Sequence, residues 1–590
     1  MSRIVWLMFS AAKLTPLLFA IAALPALAQQ PDLGPNVDIF SPSTPTATMQ
    51  QKIDAVYATE QHNEFGPQRH AFFFLPGEYK VDVPIGFYTE VTGLGDTPDA
   101  THITGNLHVD AASRNDNATT TFWRGASNLA VTSQNGPAPN LMRWAVSQAV
   151  FLRRMHIRGD IVLNQNHGWA SGGWMSDTLV DGNVNSGTQQ QWISRNSDWH
   201  SWTGANWNMV FVGVPHAPAN SWPSPPYTTV VTTPIIREKP YLTVDAKHRW
   251  SLIIPALQHN TTGITWTSPH ADIARSIPFS RIYIAHPRRD TATTLNTQLA
   301  HGKSLLFTPG IYDLTEPLRI THPNTVLFGL GFATLHPTQG NAAITTADAD
   351  GIILAGLLID AGPQLSPVLV QIGPRDSHAA HTSNPISLHD VFFRVGGAGP
   401  GKAGTDLEIN SRNTLVDHTW IWRADHGHNV GWNQNLSANG LVVNADGVTI
   451  YGLFVEHHQH FQVLWNGNRG RTYFYQSEIP YDPPTQTAWT SAPSTDGWAS
   501  YKVADTVTQH EAWGLGIYSV FRHPDVYLTR AIEVPRTPNV RFHDMITVCL
   551  DTLGGIRNII DNTGGAAKCG KPRIEPKLTL FPPAPAPAIP

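Results

Sequence analysis

Glu456 and Glu478 lie twenty-two residues apart. Each ends an apolar, aromatic run with strand character: Val448-Thr449-Ile450-Tyr451-Gly452-Leu453-Phe454-Val455 before the first, Arg471-Thr472-Tyr473-Phe474-Tyr475-Gln476 before the second. Trp465-Asn466-Gly467-Asn468 between them is a turn signal. Short strands and Gly/Asn turns at this period read as one coil of a parallel β-solenoid. Residues one coil apart stack about 4.8 Å from each other, so the two carboxylates can face one cleft. Two carboxyl groups several ångströms apart suit glycoside hydrolysis.

Glu478 sits just before Ile479-Pro480, where a strand must break. With Tyr475, Trp465 and Tyr481 nearby it can be desolvated, which raises a carboxyl pKa and suits a general acid. The plain alternative is an exposed strand-end glutamate. Glu456 opens Glu456-His457-His458-Gln459-His460, and strand alternation puts Glu456, His458 and His460 on one face. That set reads as a base or water-orienting carboxylate beside sugar-lining histidines. Its rival is a His-x-His metal site; no metal and no cofactor is expected. Upstream, Trp420 and Trp422 share a face and Asp425 follows in the turn. The indoles are either sugar-stacking platforms or lumen filling. In the run Gln189-Gln190-Gln191, Gln190 and Gln191 either join amide ladders or orient a water or sugar hydroxyl. Trp422, Asp425, His458, Trp465, Tyr481 and this glutamine pair make up the expected substrate contacts.

The elements that must position these groups are strands. The chain has 590 residues, 47 Gly, 46 Pro and 19 Trp, with little helical patterning. Only 14% of residues are charged and the net charge is −5, which argues against nucleic acid and against a polyanion held in a basic groove. A duplication spans the chain. Phe72-Phe73-Phe74-Leu75-Pro76-Gly77-Glu78-Tyr79 followed by Gly93-Leu94-Gly95 recurs as Leu305-Leu306-Phe307-Thr308-Pro309-Gly310-Ile311-Tyr312 followed by Gly329-Leu330-Gly331. The offsets are 233 for the prolines and 236 for the glycines. A short helical pattern precedes each copy and reads as a cap over the open end of the stack. The fold class is all-β, with two tandem right-handed parallel β-helices. The expected divisions are a signal peptide over 1–28, a first β-helix over 29–243, a connector over 244–280, a second β-helix over 281–570 and a Pro/Ala-rich tail over 571–590. The leader implies a secreted protein. No later apolar run of 18 residues follows, and a monomer is expected. Cys549 and Cys569 can pair.

The motifs Trp420-Ile421-Trp422-x-Ala424-Asp425-His426, Gly440-Leu441-Val442-Val443, Val448-x-Ile450-Tyr451-Gly452-x-x-Val455-Glu456-His457-His458 and Tyr475-Gln476-Ser477-Glu478-Ile479-Pro480-Tyr481 resemble the second β-helix of glycoside hydrolase family 55. The resemblance implies two tandem β-helices and an inverting, largely exo-acting β-1,3-glucanase. By motif position it implies Glu478 as general acid and Glu456 as a holder of the attacking water. A glutamine from the first β-helix, Gln190 or Gln191, joins that water. The loop after Asp425 departs from the family in lacking an acidic run. Two other readings remain: a β-helix polysaccharide lyase, which needs a Lys or Arg base, and a non-catalytic glycan-binding surface protein.

Overall fold

The computed structural model describes Met1 and residues 30–111, 114–267 and 272–583. The expected leader, Met1 apart, and residues 584–590 of the tail lie outside the described residues.

Two stacks of parallel strands account for most of the chain. The path of the first runs from Val37–Phe40 through Arg124–Val131 and Val150–Ile157 to Asn208–Val212 and Tyr227–Val230. The second has a thirteen-stranded sheet beginning at Ile282–Ala285 and an eight-stranded sheet running from Leu318–Ile320 to Ile532–Glu533. Between the stacks the pairing turns antiparallel, first in Thr233–Ile236 with Gln258–Thr261, then in Tyr241–Val244, Trp250–Pro255 and Ile273–Pro278. The connector therefore starts ahead of the expected junction at 244. The tail also differs from expectation: Lys577–Phe581 is a strand that pairs antiparallel with Val540–Cys549 and covers the last coil. Cys549 and Cys569 form a disulfide.

The duplicated motif has an atomic reason. The Tyr79 hydroxyl donates to the carbonyls of Phe40 and Leu75. The Tyr312 hydroxyl does the same for Ala285 and Thr308. In each copy this phenol ties the opening strand to the first coil. Gly77 and Gly310 adopt φ of +147° and +154°, and an added Cβ would strike Pro42 or Pro287, so the motif needs glycine there. The helices Thr46–Glu60 and Ala292–Ala300 lay Met49 and Ile53, and Leu295 and Leu299, against the two lumens.

The solenoids pack side by side through an aromatic seam that includes Trp123, Phe151, Trp174, Phe392, Trp420 and Phe454. Within it is a buried ionic cluster. Arg153 donates to Asp390 and Asp417, Arg195 to Asp417 and Glu238, and Lys239 lies 2.9 Å from Asp390. A line of left-handed residues runs along the seam face of the second solenoid: Gly356, Asp390, His418, Gly452, Phe474, Gly514 and Asp544. Each is the skipped position in the register of its strand pair. Non-glycine residues pay about 1 kcal/mol or more for this conformation. In return every coil bends at the same level, and Asp390 and His418 are aimed at each other, 2.8 Å apart.

Candidate active site

Above that bend, four side chains occupy one rung of the sheet on successive strands: Trp422, Glu456, Glu478 and Tyr518 are directly opposed in register. Glu456 and Glu478 end their strands, Thr449–Glu456 and Gly470–Glu478. Both line one cavity of about 250 Å³ between the solenoids. The first solenoid contributes Thr119, Phe122, Gln148, Ser171 and Gln190; the second contributes Trp420, Trp422, Asp425, His426, His457 and Tyr481.

The two carboxyl groups have opposite surroundings. Glu456 is buried, 3% exposed. Gln148 Nε2 donates to its Oε1 at 2.7 Å and Trp420 Nε1 to its Oε2 at 2.8 Å. Burial raises Glu456 to about 7, against the pull of the Gln476, Trp420 and Gln148 donors, which favour the ionised form. Glu478 is half-buried and its Oε2 accepts from the Tyr481 hydroxyl. Burial, then the charges of Glu456 and Asp425, push Glu478 well above the usual carboxyl range. Donors thus pull Glu456 back toward its ionised form, while burial and its neighbours' charges keep the proton on Glu478.

Asp425 and His426 complete the wall. His426 bridges Asp425 at 2.9 Å and, across the seam, Glu64 at 2.8 Å. Burial opposes its charge, but these two carboxylates raise it to about 10. Against the upward push of burial, the His426 hydrogen bond holds Asp425 below the usual carboxylate range. Burial pushes His457 down to about 4, so it is neutral. Its Nδ1 donates to the Ile479 carbonyl, and its ring meets Tyr481 edge-on at 4.4 Å.

Glu456, Glu478, Trp422, Asp425, Tyr481 and Gln190 are therefore together. Trp422 is buried, stacked on Trp420 at 4.7 Å, yet lines the cavity. Gln191 lies just behind, donating to Ser171 Oγ at 3.1 Å. Two expected substrate contacts are elsewhere. His458 is sealed inside the second solenoid between Gln462 and Asp406, at 3.1 and 3.0 Å. Trp465 is fully buried in that lumen against Tyr501 and His510. The strand alternation that grouped His458 with Glu456 fails because His457 has φ +67° and turns the chain. His457 faces the cavity instead. Sequence reasoning also missed Gln148, Ser171 and Phe122. Gln148 and Ser171 are one coil apart, as are Ser171 and Gln190, so a coil-length alignment of the first solenoid could have found them.

A family model described as the LAM55 pectate lyase-like domain matches residues 282–478, ending on the second carboxyl. An exo-beta-1,3-glucanase of Streptomyces sp. (strain SirexAA-E / ActE) is 44% identical over 582 residues, 98% of this chain and 94% of its own length. The solved structure of sacteLam55A from Streptomyces sp. SirexAA-E matches with a TM-score of 0.90 at 44% identity, over 94% of this chain and 99% of that one. A variant of sacteLam55A in complex with glucose matches with a TM-score of 0.91 at the same identity and coverage. With a full-length relative at this identity and the same paired solenoids, the chain belongs to glycoside hydrolase family 55.

Proposed function

We propose that the chain hydrolyses β-1,3-glucan with inversion at the anomeric carbon. The observation that carries this reading is the register pairing of Glu456 with Glu478 in one cavity. The linkage comes from the exo-beta-1,3-glucanase relative. Glu478 gives its proton to the glycosidic oxygen as the bond from that oxygen to the anomeric carbon breaks. Water attacks the same carbon from the opposite side and loses a proton to Glu456. Glu478 is left ionised and Glu456 protonated, and exchange with solvent resets both.

Inversion is favoured by the donors on Glu456. An oxygen capped by Gln148 and another by Trp420 are poor nucleophiles toward carbon. The same amide places Gln148 beside the water that Glu456 would activate, with Ser171 as the next hydroxyl, 3.5 Å from Gln148 Nε2. The Gln148 side-chain carbonyl lines the cavity and has no protein partner among the described residues, so it can accept a hydrogen bond from that water or from a sugar. The cavity lining has no Lys or Arg among the described residues, which disfavours the lyase reading with its cationic base.

Early time points of laminarin hydrolysis followed by proton NMR should show α-glucose before mutarotation. β-Glucose appearing first would mean a retaining route and would remove the water-holding role of Glu456. The pH profile gives a second check. Catalysis needs Glu456 ionised, so kcat/KM should rise with pH through about 7 and fall again as Glu478 loses its proton at higher pH. Glu456→Gln should lose the acid limb along with most of the activity. An unchanged acid limb in that variant would assign the limb to another group.

A further inference from the structure

We propose that the outer flank of the second solenoid carries a separate binding site for a neutral β-glucan chain, in an open trough of about 450 Å³ walled by Trp432 and Trp498. The choice of glucan rests on the hydrolase reading above; the trough itself does not.

The floor is made flat by small residues. Ala403 and Gly404 come from the strand Ala403–Ile409, and Ala438 from its neighbour Ser437–Val443 in the eight-stranded sheet. Both indoles are half-buried and held in place. The Arg423 guanidinium lies over Trp432 at 5.8 Å. His460 stacks on Trp498 at 4.3 Å, and Phe461 meets that indole edge-on at 4.9 Å. Gln459 fixes the loops to one another: its Nε2 donates to the Trp432 carbonyl at 2.7 Å, and its own carbonyl accepts from Trp489 Nε1 at 3.0 Å. Aromatic walls fixed before binding lose little side-chain entropy when a ligand stacks on them.

The chemistry of the lining selects the ligand. It presents two indoles, an imidazole, Gln459 and Thr490, with no Asp, Glu, Lys or Arg among the described lining residues. A uronate, a nucleic acid or a basic peptide would find no counter-charge there. A neutral sugar chain would find ring faces for its C–H surfaces, with the Gln459 amide and the Thr490 hydroxyl at the edge.

The location gives the site a purpose. His457 lines the catalytic cavity, and His460, three residues on, lines the trough. Arg423 joins the two, donating to the His457 carbonyl at 3.1 Å while covering Trp432. The linings share no residue. A polymer held on the flank keeps its other segments at high local concentration near the cavity, which matters for an insoluble glucan and not for a short oligosaccharide.

The test uses the full chain. Binding to insoluble curdlan is measured by depletion in a Glu478→Gln background, to prevent hydrolysis. Into it are introduced Trp498→Ala and, separately, Ala488→Glu, which puts charge and bulk on an exposed rim residue without disturbing the indoles. Each should weaken curdlan binding about tenfold. In the Glu478 parent the same changes should leave kcat/KM on laminaritriose within about twofold. Undiminished curdlan binding in both variants overturns the site. A parallel loss on laminaritriose also overturns it, by making the trough part of the catalytic cleft. If the parent neither binds curdlan nor cleaves laminarin, the β-1,3-glucan reading fails. Binding to a β-1,4-glucan or a mannan that both substitutions weaken would then uphold the trough with a different neutral glycan, and no such binding would overturn it.

Discussion

Glu478→Gln should lower kcat on laminarin by about 10²–10⁴-fold and restore most of the rate on an aryl β-glucoside with an acidic phenol. The glutamine keeps the size of the side chain and its place beside Tyr481 but has no proton to give. A sugar alkoxide is a poor leaving group without that proton, whereas a dinitrophenolate leaves unaided. The loss should therefore depend on the leaving group, while binding changes little, because the interaction removed exists only as the glycosidic bond breaks. The descending limb of the pH profile should vanish with it, since that limb reports the proton that burial and the neighbouring Glu456 and Asp425 charges keep on Glu478. Equal losses on laminarin and on the aryl glucoside would show that Glu478 positions the sugar and that the acid is another group. Tyr481→Phe is the useful companion. It removes the hydroxyl that holds Glu478 Oε2 and should reduce the rate on both substrates by a smaller factor.

The carboxyl pair was legible in the sequence because the spacing of Glu456 and Glu478 equals one coil and both strands share the same bend, so the register carries one glutamate onto the other. The two-solenoid plan was legible for a similar reason. Tyr79 and Tyr312 do the same structural task at the same place, and glycine is required beside each. The rest was hidden by backbone conformation that composition does not announce. His457 in the left-handed region shifts the facing of everything after it, which moves His458 from cavity to lumen. Trp465 belongs to the eight-stranded sheet, where the inward side is the core. Gln148 lies in the apolar run Trp144-Ala145-Val146-Ser147-Gln148-Ala149 with nothing local to mark it. Its meaning depends on a partner 308 positions away, Glu456. A single chain read by period finds what repeats within one solenoid and misses what one solenoid contributes to the other.

That cross-solenoid dependence leads to the largest expected change in stability. In the seam Arg153, Arg195 and Lys239 face Asp390, Asp417 and Glu238, with Glu90 3.9 Å from Lys239. Asp417 is completely buried and holds two of the cations: Oδ1 accepts from Arg195 Nε at 2.9 Å and Oδ2 from Arg153 Nη1 at 2.7 Å. Asp417→Ala leaves a buried positive charge without its partner and should cost about 3–5 kcal/mol in chemical denaturation. Asp417→Ala combined with Arg195→Leu should cost less than the sum of the two single changes, because removing one guanidinium relieves the imbalance left by the other substitution. The pH sign follows from the same contacts. Burial raises the pKa of Asp417, but Arg195 and Arg153 more than offset it and hold the folded-state value below the unfolded one. The stability this carboxylate contributes is then complete above the unfolded value of about 3.9 and is lost as pH falls toward the folded one. The parent should show a steep loss of stability below about pH 4 that is shallower in Asp417→Asn. Asp417 does not line the cavity, yet activity should fall with it, because the seam it ties sets the 2.7 Å contact between Gln148 and Glu456. A variant that loses less than about 1 kcal/mol while keeping full kcat would mean that the aromatic seam alone docks the solenoids and that the buried ions are not what aligns the site.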